Sequence, residues 1–282
     1  DRLLDNMEAH GKADLIEDFA SAIPIEIIGN LLDIPHADRA PLRGWSLAIL
    51  GALEPFLTDE AQARGERAVG EFLDYLRHLV TERRVRPGNP EHDVLTRLIQ
   101  GEASGEKLSE IELLQNCIFI LNAGHETTPN LIGNGLELLL RFPHELQRLI
   151  GDPALINPAV EEFLRFESSN QLGNRRVVQD TEIDGLAIPK GTLVTLCIGA
   201  ANRDPDVFAE PDRLDITRAP NRHLAFASGA HACVGLTLAR LEGRIAIGRF
   251  LARFPNYPAN GPAYRARRVR FRGFTALPVT LS

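Results

Sequence analysis

The feature that most constrains the fold is a helical pattern at residues 109–141 that is longest in the chain and weakest at its centre. Ser109 followed by Glu112 forms a capping box, in which hydroxyl and carboxylate satisfy the orphan amides of a helix start, and Pro143 closes the segment. At 1.5 Å per residue, one uninterrupted helix of this length is roughly 48 Å long, enough to cross a domain. Its middle reads Ala123-Gly124-His125-Glu126-Thr127-Thr128-Pro129, which puts poor helix formers where a helix needs strength. A helix weakened there points to a site.

The segments around it set the fold class. Leu15, Ile16, Phe19, Ile23 and then Ile27, Ile28, Leu31, Leu32 recur at helical spacing, and Pro24 and Pro35 punctuate them. Residues 60–84 carry a second amphipathic stretch, and 86–92 read as a loop. Asn157-Pro158 predicts an N-cap with proline in the first turn of a short helix holding Glu162 and Arg165. Val177-Val178, residues 182–188 and residues 192–198 read as short strands. Residues 202–230 are rich in Pro, Asp, Asn and Gly, and a long irregular stretch of this kind signals function. A last helix is expected over about 233–254, then strands near Val269, Phe271 and 277–281. The expectation is a mainly α fold with small β-sheets (α+β), a single domain over 1–282.

Charge and cysteine content exclude several classes. The net charge is −7, but residues 217–282 hold eleven Arg and one acid, so the remainder carries −17. Overall acidity argues against a general nucleic-acid binder, while the basic quarter is either a face for an acidic partner or a solvated rim. No apolar run approaches the ~18 residues a membrane span needs, and no leader opens the chain. The three cysteines (Cys117, Cys197, Cys233) share no close spacing, which removes a disulfide scaffold and a paired-cysteine metal or redox site. A cytoplasmic protein is expected.

The most informative stretch is Phe226-Ala227-Ser228-Gly229-Ala230-His231-Ala232-Cys233-Val234-Gly235. It places a cysteine at an expected helix start, where free amides favour a thiolate. Gly229 and Gly235 allow turns and close approach that a Cβ would block, as a large flat ligand needs, and Phe226 can shelter the sulfur. A sheltered thiolate is the donor that pushes electron density onto heme iron and favours O–O cleavage. Taken singly, a free cysteine is more often a buried small hydrophobe, and His231 an ordinary satisfied imidazole.

The pattern Phe226-x-x-Gly229-x-His231-x-Cys233-x-Gly235 resembles the heme-binding signature of the cytochrome P450 superfamily, the heme-thiolate monooxygenases. Three further segments resemble that family in its own order. Ala123-Gly124-His125-Glu126-Thr127-Thr128 is similar to the oxygen-activation segment of its long central helix. Glu162-Phe163-Leu164-Arg165 is similar to its Glu-x-x-Arg, and Ala201-Asn202-Arg203-Asp204-Pro205 through Pro211-Asp212-Arg213-Leu214 to the meander of its soluble bacterial members. The resemblance runs over essentially the whole chain and begins roughly a third of the way into the family's pattern, so a domain lacking about the first third is expected.

The resemblance implies heme b as cofactor, Cys233 as axial ligand, and Glu126 and Thr127 as the acid and hydroxyl that handle protons over the distal face. Gly124 would leave room for oxygen, and Ala123 would face cofactor and substrate; the plain reading of Thr127-Thr128 is two hydroxyls bonded back to helix carbonyls. Glu162 and Arg165 would form a buried pair, with Arg213 as the arginine that joins them from the meander. Arg176 and His223 would hold the propionates, with Arg175 and Arg222 as surface charges. Phe119 and Ile120 on the long helix, Asn170, Gln171 and Leu172 in the following loop, and Phe274 and Thr275 in the tail would line the substrate pocket.

The activity so implied is insertion of one atom of O2 into a small organic substrate. Electrons would come from outside, since the sequence has no Gly-rich dinucleotide fingerprint and no iron–sulfur cysteine set. A ferredoxin-type donor with its reductase fits, docking near Arg240 and Arg244. A heme-binding sensor or non-turnover subunit, and a peroxide-using heme-thiolate enzyme, stay open as alternatives.

Overall fold

The structure is a computed structural model that describes residues 1–101 and 108–282. In chain order its elements are α1 (Arg2–His10), β1 (Lys12–Asp14), a π-helical turn (Leu15–Ala20), α2 (Ala22–Leu31), α3 (Leu42–Gly51), α4 (Asp59–Val85), α5 (Val94–Gln100), α6 (Glu110–His125) and α7 (Thr127–Arg141). There follow α8 (Pro143–Gly151), α9 (Ile156–Phe166), β2 (Leu172–Arg176), β3 (Thr181–Ile183), β4 (Leu186–Ile188), β5 (Leu193–Cys197), α10 (Ile198–Ala201), α11 (Leu236–Arg253), β6 (Tyr264–Arg265), β7 (Phe274–Ala276) and β8 (Pro278–Thr280). The expected class is found: mainly helical, with small antiparallel two-stranded sheets.

The chain divides into two compact units, Asp14–Pro129, and Asp1–Ala13 together with Asn130–Ser282. In the first, Ala68, Phe72, Leu76 and Leu79 lie along one face of α4 and bury against Ile28, Leu32, Leu42, Leu114 and Leu121. Trp45 stacks on Phe72 at 5.1 Å. Buried Arg39 closes the loop after α2, donating Nε to Ile34 O at 2.9 Å and NH1 to Glu26 Oε2 at 2.8 Å.

In the second unit, α7, α9 and α11 approach closely at glycines. A Cβ on Gly135 would come within 2.9 Å of both Phe163 and Ile247, and one on Gly243 within 2.9 Å of Leu131. β2 pairs with β5 from Leu172 opposite Cys197 to Arg176 opposite Leu193. β3 and β4 form a tight hairpin whose turn residues Asp184 and Gly185 have φ of 49° and 80°, the left-handed pair that such turns require.

Several boundaries differ from the sequence expectation, among them Val177-Val178, which lie just beyond the end of β2. The pattern at 109–141 is two helices, because Pro129 has no N–H for the carbonyl of His125 and its ring crowds that turn; the chain breaks at Glu126 (φ −114°, ψ −36°) and restarts with the proline in the first turn of α7. Asn157 is not an N-cap: α9 opens at Ile156 after a short 3₁₀ turn capped by Asp152, and Asn157 Oδ1 accepts from Arg244 instead. Cys233 precedes the last helix, which starts at Leu236 with Gly235 at its N-cap. In the tail the strands are β7 and β8, and Phe271 makes only an isolated bridge to Asn170.

Candidate functional site: the cysteine loop and its anchors

Among the three cysteines, Cys117 is buried in the first unit and burial pushes its thiol up to about 12, whereas Cys233 lies exposed on the loop before α11. That loop is shaped by its main chain. The Cys233 amide donates to Phe226 O at 2.9 Å, Ala232 N to Gly229 O at 3.0 Å, and Leu236 N to Cys233 O at 3.3 Å. Gly229 has φ +65°, and Ala227 sits at φ +56°, a left-handed conformation that costs any residue with a Cβ.

The loop fits a flat macrocycle held by sulfur. Residues 228–234 are exposed throughout and Val234 is 98% exposed, so the thiol stands on an open, partly apolar face. A Cβ on Gly229 would meet nothing within 4 Å, and one on Gly235 only the Cys233 sulfur at 3.9 Å.

Below the loop, Glu162 and Arg165 are both fully buried and form a bidentate pair, Nε to Oε2 at 2.8 Å and NH2 to Oε1 at 2.9 Å. NH1 of Arg165 then donates to Asn202 O and Pro211 O, both at 2.9 Å. The third arginine is Arg218, not Arg213. Arg218 Nε approaches both Glu162 oxygens, at 3.2 and 3.3 Å, and its NH1 and NH2 hold the carbonyls of Ala209 and Arg213. A turn at 210–213 points the Arg213 side chain outward onto exposed Glu210 and presents its carbonyl to Arg165 at 3.3 Å. Asn221 Nδ2 and the Asp215 amide complete the bonds to Glu162, at 3.1 and 3.0 Å.

Asn202, which the sequence reading placed only within a motif, is fully buried. Its Nδ2 donates to Ser168 Oγ at 2.7 Å, and its Oδ1 accepts from the Leu224 amide at 2.7 Å. It thus ties the end of α9 to the segment leading into the cysteine loop. Arg203 stacks on Phe166 with Cζ 3.6 Å from the ring centroid.

The propionate candidates are rearranged. The Ala225 amide donates to His223 Nδ1 at 3.2 Å, so the proton is on Nε2, which donates to Glu161 Oε2 at 3.1 Å. With both ring nitrogens committed, His223 is a brace within the protein; His231 is exposed in the 3₁₀ turn Gly229–His231. Arg176 is exposed and donates to Gly191 O at 2.9 Å, while its neighbour Arg175, on the opposite face of β2, is half-buried. The expected exposures of this pair are reversed. Arg240 is ion-paired with Glu161, and Arg244 donates to the neutral acceptors Asn157 Oδ1 and Arg240 O.

Of the expected wall, Gln171 turns its amide back onto Ser168 O, and Leu172 O accepts from Arg270 NH1 at 3.0 Å. Asn170 is half-buried and bridges to Phe271. Phe274 is buried with Arg265 over its ring at 4.3 Å, and Thr275 Oγ1 donates to Tyr264 O, so these two serve the β6–β7 pairing.

The other expected segment belongs to the first unit. Phe119, at 65% exposure, and Ala123 share an open face of α6, with Ile120 half-buried beside it. Gly124 abuts Ile28, which a Cβ would meet at 2.8 Å. Glu126 is buried, and Thr127 Oγ1 donates to Ala123 O at 2.7 Å, the plain back-bonded arrangement. His125 is 2% exposed with neither ring nitrogen hydrogen-bonded; burial, then the Arg43 cation, pushes it down to about 4.

Comparison with known proteins agrees with the geometry. The family model described as cytochrome P450 matches residues 46–262, more than half of the chain. The biotin biosynthesis cytochrome P450 of Bacillus subtilis (strain 168) is 38% identical over 279 residues, which cover 99% of this chain and 70% of that protein. The vitamin D(3) 25-hydroxylase of Pseudonocardia autotrophica is 39% identical over 288 residues, covering 100% of this chain and 68% of that one. Among solved structures, P450BioI in complex with hexadec-9Z-enoic acid ligated acyl carrier protein superposes with TM-score 0.95 at 37% identity, over 100% of this chain and 72% of that one.

Proposed function

The chain belongs to the cytochrome P450 family, a heme-dependent monooxygenase family, and from that premise we propose how its residues divide the work. The reading is carried by one observation: an exposed thiol, Cys233, on a glycine-bearing loop whose main chain is bonded in place around Phe226. Heme held by Cys233 supplies the oxygen-activating centre, whose O–O cleavage a thiolate donor favours. The protein's own contribution is to hold that thiolate in one geometry. Glu162, Arg165, Arg218 and Asn202 do this by fixing the segments before and beneath the loop. Arg175, half-buried on β2, and exposed His231 take the propionates, with His223 held by Glu161.

Glu126 holds a proton at its carboxyl and Thr127 passes it on from Oγ1. The Thr127 hydroxyl has one proton, now donated to Ala123 O, so Oγ1 is left as an acceptor and donates elsewhere only after releasing that carbonyl. Phe119, Ile120 and Ala123 contribute to the recognition of a small organic substrate. Electrons come from a ferredoxin-type donor and its reductase, and the cytoplasm is where such a chain works. Among the described residues no helix is long and apolar enough to cross a membrane.

The test is a carbon monoxide difference spectrum of the reduced, heme-loaded chain. It should give the thiolate-ligated band, and Cys233→Ser should abolish it. Oxygen uptake coupled to product, with a reductase chain present, separates this reading from a sensor; product formed from hydrogen peroxide alone would favour the peroxide-using alternative.

A further inference from the structure

A second charged cluster adjoins the cysteine loop, distinct from the Glu162 network. Glu161, one residue earlier on α9, receives Arg240 Nε on Oε1 at 2.7 Å, and on Oε2 both Arg240 NH2 at 2.8 Å and His223 Nε2 at 3.1 Å. Burial raises this carboxyl, but the bonds from His223 and Arg240 outweigh it and hold it down at about 2, so it stays ionised. The bidentate pair fixes the plane of the guanidinium, whose Cζ lies 4.7 Å from the centroid of the Phe226 ring. The carbonyl of that same Phe226 takes the Cys233 amide at 2.9 Å.

We propose that Glu161 and Arg240 are a positioning pair that sets the electrostatic environment of the Cys233 sulfur, and with it the ease of reducing the iron that the sulfur holds. The guanidinium lies over the ring of the residue whose carbonyl takes the Cys233 amide, which puts a fixed cation against the loop that carries the sulfur. A cation beside a thiolate stabilises its negative charge and restrains its donation to the metal. One-electron reduction adds one negative charge to the centre. Removing the Arg240 cation, which leaves the Glu161 carboxylate uncompensated, makes that step harder; removing the carboxylate makes it easier. A merely structural brace would move both variants in the same direction.

The inference rests on Cys233 as the iron's ligand. Its experiment is a spectroelectrochemical titration of the heme-loaded chain. In Arg240→Gln the reduction equilibrium is expected to fall roughly tenfold, about 59 mV for one electron. In Glu161→Gln it rises, and in Arg240→Lys, which keeps the charge, it stays near wild type. No shift, or shifts of one sign in Arg240→Gln and Glu161→Gln, overturns the proposal. If Arg240→Gln sheds its heme, Glu161→Gln decides alone: a rise supports the pair, and a fall or no change refutes it. Cys233→Ser run beside them separates the two ideas, since survival of the thiolate-type spectrum in that variant refutes the ligand and not the pair.

Discussion

Asn202 Oδ1 accepts the Leu224 amide at 2.7 Å while its own carbonyl takes Arg165 NH1 at 2.9 Å, so one buried amide residue joins the ion-pair network to the chain that enters the cysteine loop. Asn202→Ala strands the Leu224 amide, whereas Ser168 Oγ keeps its own bond to Leu164 O. One buried group left unsatisfied costs about 1–3 kcal/mol, so a loss of about 2 kcal/mol is expected in urea unfolding, with faster heme release. A loss below about 1 kcal/mol would mean that water replaces the side chain.

Arg218 and Arg213 give a contrasting pair. Arg218 is nearly buried and shares Glu162 with Arg165, so Arg218→Ala leaves a fully buried carboxylate with half its cations, at about 3 kcal/mol. Arg213 meets Glu210 in solvent, and Arg213→Ala should stay within about 0.5 kcal/mol. Unfolding curves of the two variants check this; equal losses would return Arg213 to the cluster.

Two buried groups give the stability profile opposite slopes at its two ends. His125 has its folded value pushed down to about 4 from the ordinary 6.5, chiefly by burial, so its contribution is present above pH 6.5 and is lost as pH falls through 4. Glu242 is pushed up to about 7 from 4.5 by burial, so its contribution is present below pH 4.5 and is lost as pH rises through 7. Each span corresponds to about 3 kcal/mol. His125→Leu should flatten the acid side and Glu242→Gln the alkaline side, measured by denaturant unfolding across pH 4–8; profiles parallel to wild type would refute the assignment.

Ala227 holds a left-handed φ of +56° in the cysteine loop. Glycine carries no penalty there but loses more backbone entropy, so Ala227→Gly should stabilise by about 0.5–1 kcal/mol. A fall in thermal midpoint would show that the neighbours of the alanine methyl outweigh the strain.

What the sequence made legible was what repeats or has a spacing rule. The faces of α4, the Ser109–Glu112 capping box and the Glu162–Arg165 pair each follow from a period or an offset, and each is found. What it hid depends on which way an irregular segment turns. Between 202 and 230 no periodicity says that Arg218 points inward and Arg213 outward, or that Asn202 is buried, because turn geometry alone decides it. The contacts of His223 are illegible for a related reason: its partner Glu161 is 62 residues away, and only folding brings Arg240 beside Glu161 as well. The break at Glu126 did have a readable cause, since Pro129 stands four residues after His125.

That proline has a further effect. In an unbroken ladder the peptide oxygen of His125 would be consumed by the amide four positions on. A ring nitrogen cannot fill that role, so at the seam between α6 and α7 that oxygen loses its ladder donor, within one turn of the acid at 126 and the alcohol at 127. A single missing hydrogen thereby converts scaffold into a polar foothold at that turn.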